Sequence, residues 1–157
     1  MKAATVQDIK QELTTLKHNE LLAINLRLAR FKKENKELLT YILFEAHNEP
    51  GYVEGIKREI DEQMESINKS QIYFAKKSIR KILRLVNKYT RYSSSKQTEV
   101  ELLIYFCKKL KISGLPLHKN VALSKLYENQ MIKVKKIMKA LHEDIQYDLN
   151  RELEELD

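Results

Sequence analysis

Five cations, Lys77, Lys81, Arg84, Lys88 and Arg91, recur at alternating intervals of four and three residues. On an α-helix turning about 100° per residue, that spacing keeps them on one face. Lys76 and Arg80 flank the ladder, and Tyr92 stands at its end, where a ring can stack on a base. The chemistry such a face offers is electrostatic. Ammonium and guanidinium groups neutralise phosphates or carboxylates, and arginine adds a bidentate fork. Further lysines follow at 108, 109 and 111 and again at 133, 135, 136 and 139, with Tyr73, Tyr89 and Tyr127 interleaved. The candidate binding set is Lys77, Arg80, Lys81, Arg84, Lys88, Arg91, Tyr92, Lys135, Lys136 and Lys139. A solvated helix face in a lysine-rich protein shows the same pattern, so the ladder marks a place before it marks a partner.

Other chemistries find less material. His18, His47, His118 and His142 are isolated, and neither H-E-x-x-H nor the E-x-x-H of di-iron bundles occurs. His47 with Glu45 and Glu49, or His142 with Asp144, could contribute to a metal site only if the fold assembled one; surface histidines at helix ends are the expectation. Cys107, the single cysteine, lies in the apolar run Leu103-Ile104-Tyr105-Phe106. That context suits packing, since a reactive thiol needs exposure and a lowered pKa. The carboxylate pairs Glu59/Glu62 and Asp61/Glu65 fall on an outer helix face, where they meet bases or solvent. With three glycines in the chain, a phosphate-cradling loop has little to be built from. No cofactor is expected, and nothing in the sequence argues for an enzyme.

Charge distribution strengthens the case for binding. The net charge of +7 divides unevenly: residues 1–65 carry about −2, residues 66–142 about +15, and residues 143–157 about −6. No acid occurs between Glu65 and Glu99. An acidic protein surface or nucleic acid is the partner this excess suits. The acidic tail could instead fold back on the basic middle. Such exposed pairs contribute only about 0–1 kcal/mol each, which makes the tail a screen rather than a lock.

The elements that must hold these residues are helices. The chain has 157 residues, three Gly and two Pro, and no strand-like alternation runs far, which indicates one all-α domain, 1–157. No window approaches the ~18 apolar residues of a membrane span. The first residues lack the apolar core of a secretion signal, and one cysteine fits a reducing compartment, so a cytoplasmic protein is expected.

Thr5 with Asp8 forms a capping-box signature before a helix of about Val6 to Leu16. A second helix runs from a cap at Asn19 through Phe31, and a third, E-L-L-T-Y-I-L-F-E-A, follows a cap at Asn35. Both are apolar around much of their circumference and are expected to be central. The break Asn48-Glu49-Pro50-Gly51 precedes a fourth helix whose seam is Val53, Ile56, Ile60, Met64 and Ile67. In the fifth, Ile72, Ala75, Ile79, Ile82, Val86 and Tyr89 oppose the cationic ladder. Ser93 to Ser95 links it to a sixth helix, for which Thr98 is the expected cap, and Ser113-Gly114-Leu115-Pro116 makes the next loop. From 120 to 156 an apolar seam continues without Gly or Pro. It reads as a helix to about 142 and an acidic C-terminal helix over 143–157. This seam also offers a surface for pairing two chains as a homodimer.

An internal echo runs through the chain. I-N-L-R-L-A-R-F at 24–31 resembles I-L-R-L-V-N-K-Y at 82–89, and E-L-L-T-Y at 37–41 resembles E-L-L-I-Y at 101–105. This points to two similar three-helix units at 19–68 and 70–141, architecturally similar to short HEAT or armadillo stacks. Amphipathic helices rich in Leu, Ile and Lys also resemble one another by composition alone. The expected architecture is therefore an irregular antiparallel helical bundle or a short HEAT/armadillo-like α-solenoid of six to eight helices. The expected function is that of an interaction or scaffold module taking an acidic partner on its basic face, with sequence-nonspecific nucleic-acid binding as the alternative and an enzyme or small-molecule domain as the third.

Overall fold

The computed structural model describes residues 1–156 and is all-helical, with eight α-helices and no strand among them. Asp157, the last residue of the acidic segment, lies outside the described residues. By proximity the chain divides into two compact units, one spanning Met1–Phe44 and the other beginning at Glu45. This boundary falls inside the 19–68 segment of the internal echo, so spatial grouping and sequence similarity divide the chain differently.

The first unit contains α1 (Val6–Thr15), α2 (His18–Phe31) and α3 (Lys33–Thr40), with a π-helical turn at Tyr41–Glu45 where it meets the boundary. The Thr5 hydroxyl oxygen accepts from the Asp8 N–H while the Asp8 carboxylate accepts from the Thr5 N–H, completing the capping box. Helix α2 starts earlier than expected, because Glu20 accepts from the Lys17 N–H and draws Lys17 into the cap position. Helices α2 and α3 pack as a hairpin, tied by the Asn35 side-chain amide donating to the Leu28 carbonyl at 2.9 Å. The expectation that α2 and the third helix are buried fails. Neither α1, α2 nor α3 holds a buried residue, and only Tyr41 of the π turn is buried. Leu22, Leu28, Phe31, Ile42, Leu43 and Phe44 are all exposed. A helix that is apolar on many sides is buried only when elements stand on those sides, and here they do not.

The second unit contains α4 (Glu49–Glu65), α5 (Ile72–Ser93), α6 (Lys96–Ile112), α7 (Val121–Met138) and α8 (Glu143–Glu154). Asn48 caps α4 by accepting from the Gly51 N–H at 3.1 Å. Its side chain folds so close that a Cβ on residue 51 would lie 2.4 Å from the Asn48 amide nitrogen, which is why glycine stands there. Helices α4, α5 and α6 run up, down and up. The Tyr52 hydroxyl near the start of α4 donates to the Tyr89 carbonyl near the end of α5 at 3.0 Å, and the two rings meet edge to face at 6.4 Å. Lys57 to Glu101 and Asp61 to Tyr105 advance together, so α4 and α6 run parallel. Ser94 takes a left-handed conformation at φ 56° to end α5, and Ser95, rather than Thr98, caps α6.

Helix α6 is the hub. It packs on α4, α5, α7 and α8, and Val100, Leu102, Leu103, Ile104, Phe106, Cys107 and Leu110 are buried around nearly its whole circumference. The seam over 120–156 is used inside this unit, where Leu123, Val134, Met138, Leu149, Leu153 and Leu156 all join the core. It breaks between α7 and α8, where the His142 Nδ1 accepts from the Asp144 N–H at 3.3 Å and caps α8. The break is near 142 as expected, but His142 serves a helix start rather than an end.

Candidate basic interface

Helix α5 positions the cationic ladder by burying what lies opposite. Ala75, Ile79, Ile82 and Val86 are fully buried against α4 and α6. Residues about 180° around the helix must then face outward. Lys77, Arg80, Lys81, Arg84 and Arg91 are exposed, and none has a carboxylate within ion-pairing distance among the described residues. Lys88 differs: it is half-buried, and its ammonium sits 4.7 Å from the centre of the Tyr89 ring. Over the span from residue 77 to residue 91 the face extends about 21 Å at 1.5 Å per residue.

Toward the start of α5 the ladder deepens into an open depression of about 320 Å³ lined by Tyr73, Lys76, Lys77, Arg80 and Arg84. Tyr73 is the residue that the initial candidate set leaves out. It precedes Lys77 by one turn and shares its face, and it is 68% exposed. Its ring pairs edge to face with Phe74 at 5.4 Å. Tyr92, the residue expected to stack on a base, is half-buried and meets the Tyr89 ring at 6.0 Å. The signal for Tyr73 is present in the sequence as the four-residue step that extends the ladder backwards.

The lysines of α7 divide. Lys133 reaches toward α5, donating to the Asn87 carboxamide oxygen at 3.1 Å, and pairs with Glu99 of α6 at 2.8 Å. Asn87 lies about 80° from the centre of the ladder, so Lys133 stands at its edge. Lys135, Lys136 and Lys139 are exposed on α7. Lys136 is one turn beyond Lys133 on the same flank, while Lys135 and Lys139 point about 160° and 120° away from it. The structure thus joins α7 to the ladder through Lys133, a residue outside the candidate set.

The acidic tail folds back on the basic middle, but onto α6 rather than α5. Lys108 Nζ lies 2.6 Å from a Glu155 carboxylate oxygen, and the Lys111 ammonium donates to the Leu156 carbonyl. Glu152 of α8 has its carboxyl pushed up by partial desolvation and by the nearby Glu101. On the adjoining face of α6, Lys57 bridges Glu54 and Glu101, and Lys109 pairs with Asp61 at 2.8 Å while the Tyr105 hydroxyl donates to the same carboxylate at 2.8 Å. These basic residues are committed within the fold. Glu99 shows the balance at such a site: burial pushes its carboxyl up, and the hydrogen bonds from Lys133 and Lys96 outweigh this and hold it low.

Catalytic candidates are not brought together. Cys107 is completely buried, and burial pushes its thiol up to about 12, the reverse of an activated nucleophile. Among the described residues no three His, Cys, Asp or Glu side chains form a metal-holding group. His47 is not joined with Glu45 and Glu49 in such a group, and His142 meets Asp144 only as the cap of α8. No helix among the described residues is long and apolar enough to cross a membrane. Comparisons with protein-family models, curated proteins and solved structures return no match for this chain.

Proposed function

We propose that this protein is a non-enzymatic interaction module of the cytoplasm whose α5 face binds an acidic macromolecule. The observation that carries this reading is the set Lys77, Arg80, Lys81, Arg84 and Arg91, exposed on one helix face without carboxylate partners. Around α6, by contrast, Lys57, Lys96, Lys108, Lys109 and Lys133 all meet acids. A helix face that carries five exposed cations and no carboxylate within pairing distance has charge to offer a partner. The exposed Lys136, one turn beyond Lys133, extends the same field toward α7. A homodimer through the C-terminal seam draws less support, because that seam is occupied within the core.

The test is binding of two acidic polymers, polyglutamate and a 20-nucleotide oligothymidylate, across a salt series. Expected is binding of at least one that weakens with salt and falls about tenfold or more in the K77Q/K81Q/R84Q/R91Q variant. Failure of both polymers to bind at low salt, or equal binding by the variant, overturns the reading.

A further inference from the structure

We infer that the partner of the α5 face is single-stranded nucleic acid, engaged at the depression lined by Tyr73, Lys76, Lys77, Arg80 and Arg84. This deepens the reading above and rests on it. Charge alone does not distinguish a phosphodiester chain from an acidic protein, since carboxylates on a partner helix can also recur once per turn. The aromatic side chain does. Proteins that bind single strands without sequence preference combine a cationic track for the backbone with exposed rings on which bases stack. Tyr73 meets that description. It lines the depression and is 68% exposed, near the start of α5 beside the four cations Lys76, Lys77, Arg80 and Arg84.

Its surroundings explain why Tyr73, and no other tyrosine of the basic region, fills this role. Tyr89 and Tyr92 pack on each other and Tyr89 also packs on Tyr52, Tyr105 is tied to Asp61, and Tyr127 is half-buried against the core. Phe74 braces Tyr73 edge to face, which limits its rotamers and lowers the entropy lost when a base stacks on it. Two arginines, Arg80 and Arg84, one turn apart and both exposed, supply planar forks that grip phosphate oxygens bidentately. From Tyr73 a strand then follows Lys77, Lys81, Lys88 and Arg91 along the helix, about 27 Å in all at 1.5 Å per residue. A base stacked at the Tyr73 end and phosphates along the ladder place the two halves of a nucleotide on the two kinds of residue this face presents.

The experiment measures fluorescence anisotropy of labelled 20-mers of oligothymidylate and oligouridylate, the matched DNA duplex and polyglutamate. The proteins are wild type, Y73A, Y73F, K77Q/R80Q/R84Q and, as a surface control, K135Q/K139Q. Thermal melts by circular dichroism verify that each variant is folded; the substituted side chains are exposed or at the surface. Single strands are expected to bind more tightly than duplex and polyglutamate. Y73A should lose about 5- to 100-fold in affinity with the salt slope unchanged, the signature of a lost stacking contact, and Y73F should bind as wild type. K77Q/R80Q/R84Q should reduce the magnitude of the logarithmic salt slope by about 2, three phosphates at ~0.7 each. Polyglutamate or duplex binding equal to the single strand, or Y73A within twofold of wild type, overturns this inference. In that case binding that still depends on the ladder leaves the broader proposal standing. Absence of binding to every polymer removes both.

Discussion

Helices α2 and α6 carry nearly the same sequence signature and meet opposite fates. Both are apolar around much of their circumference, and each contains a Glu-Leu-Leu step. Helix α6 buries eight residues; α2 buries none. The difference extends to the two units that contain them. Every residue of the main buried cluster lies between 53 and 156, while the first unit keeps Phe31 76% exposed and Phe44 64% exposed. Apolar composition creates a demand for burial, and only the number and placement of neighbouring elements meets it. Four helices pack on α6, whereas α2 has α3 as its main neighbour. The same contrast separates the charges. In the second unit Lys57, Lys96, Lys108, Lys109 and Lys133 around α6 are paired, and Lys77, Arg80, Lys81, Arg84 and Arg91 on the outer face of α5 meet no carboxylate among the described residues.

The largest expected effect tests burial directly. Phe106→Ala in α6 removes a fully buried ring and should cost about 3–5 kcal/mol. Phe31→Ala in α2 should stay within about 0.5 kcal/mol. Chemical denaturation followed by circular dichroism gives both values; similar losses would break the contrast between the units.

A second prediction uses the buried thiol. In the folded state Cys107 ionises near 12, against an ordinary value of 9.0. Between those two pH values the unfolded chain releases a proton that the folded chain retains, so stability falls as pH rises. The slope approaches about 1.4 kcal/mol per pH unit for this one group. Cys107→Ala should flatten the alkaline decline between pH 9 and 12 while lowering stability at pH 7. Persistence of the full slope in that variant would mean that another group is responsible.

The smallest effect concerns the caps. Asn48→Ala removes the cap of α4, a helix of the packed unit, and should lower global stability by about 1 kcal/mol. Thr5→Ala removes the capping box of α1, which has no buried residue, and should reduce helix content without moving the main melting transition. Equal shifts of that transition would show the two units unfolding as one, sharpening where the cooperative boundary lies.

Much of the second unit was legible in residue spacing. The seam Val53, Ile56, Ile60, Met64 and the α5 stripe each repeat every three or four residues; the seam and the stripe's Ala75, Ile79, Ile82 and Val86 are buried as that period dictates, while Ile72 and Tyr89 at the stripe's ends are half-buried. The break at Asn48-Glu49-Pro50-Gly51 was legible because Pro and Gly punctuate the helical pattern; that Asn48 caps α4 and folds close over Gly51 was shown by the structure. Helix-start residues failed where two candidates stood close together, as with Ser95 and Thr98, since either hydroxyl can satisfy an orphan N–H and the path of the preceding turn chooses between them. In the candidate interface, the ladder and the place of Tyr73 on its face were legible from spacing, but that Tyr73 stands open while Tyr92 is half-buried was not. Tyr92 is occupied by Tyr89, a contact decided by side-chain packing at the end of α5.

By itself, then, the sequence determined the helical class, the two faces of α5 and the uneven charge along the chain, because periodicity and composition are local properties carried by each segment. Tertiary structure alone decided that α6 and not α2 is the hub, that the acidic tail neutralises Lys108 rather than the ladder, and that Tyr73 stands open beside Arg80 and Arg84. Each of these depends on which surfaces meet. Burial and ion pairing are properties of neighbours distant in sequence, and no single segment encodes them.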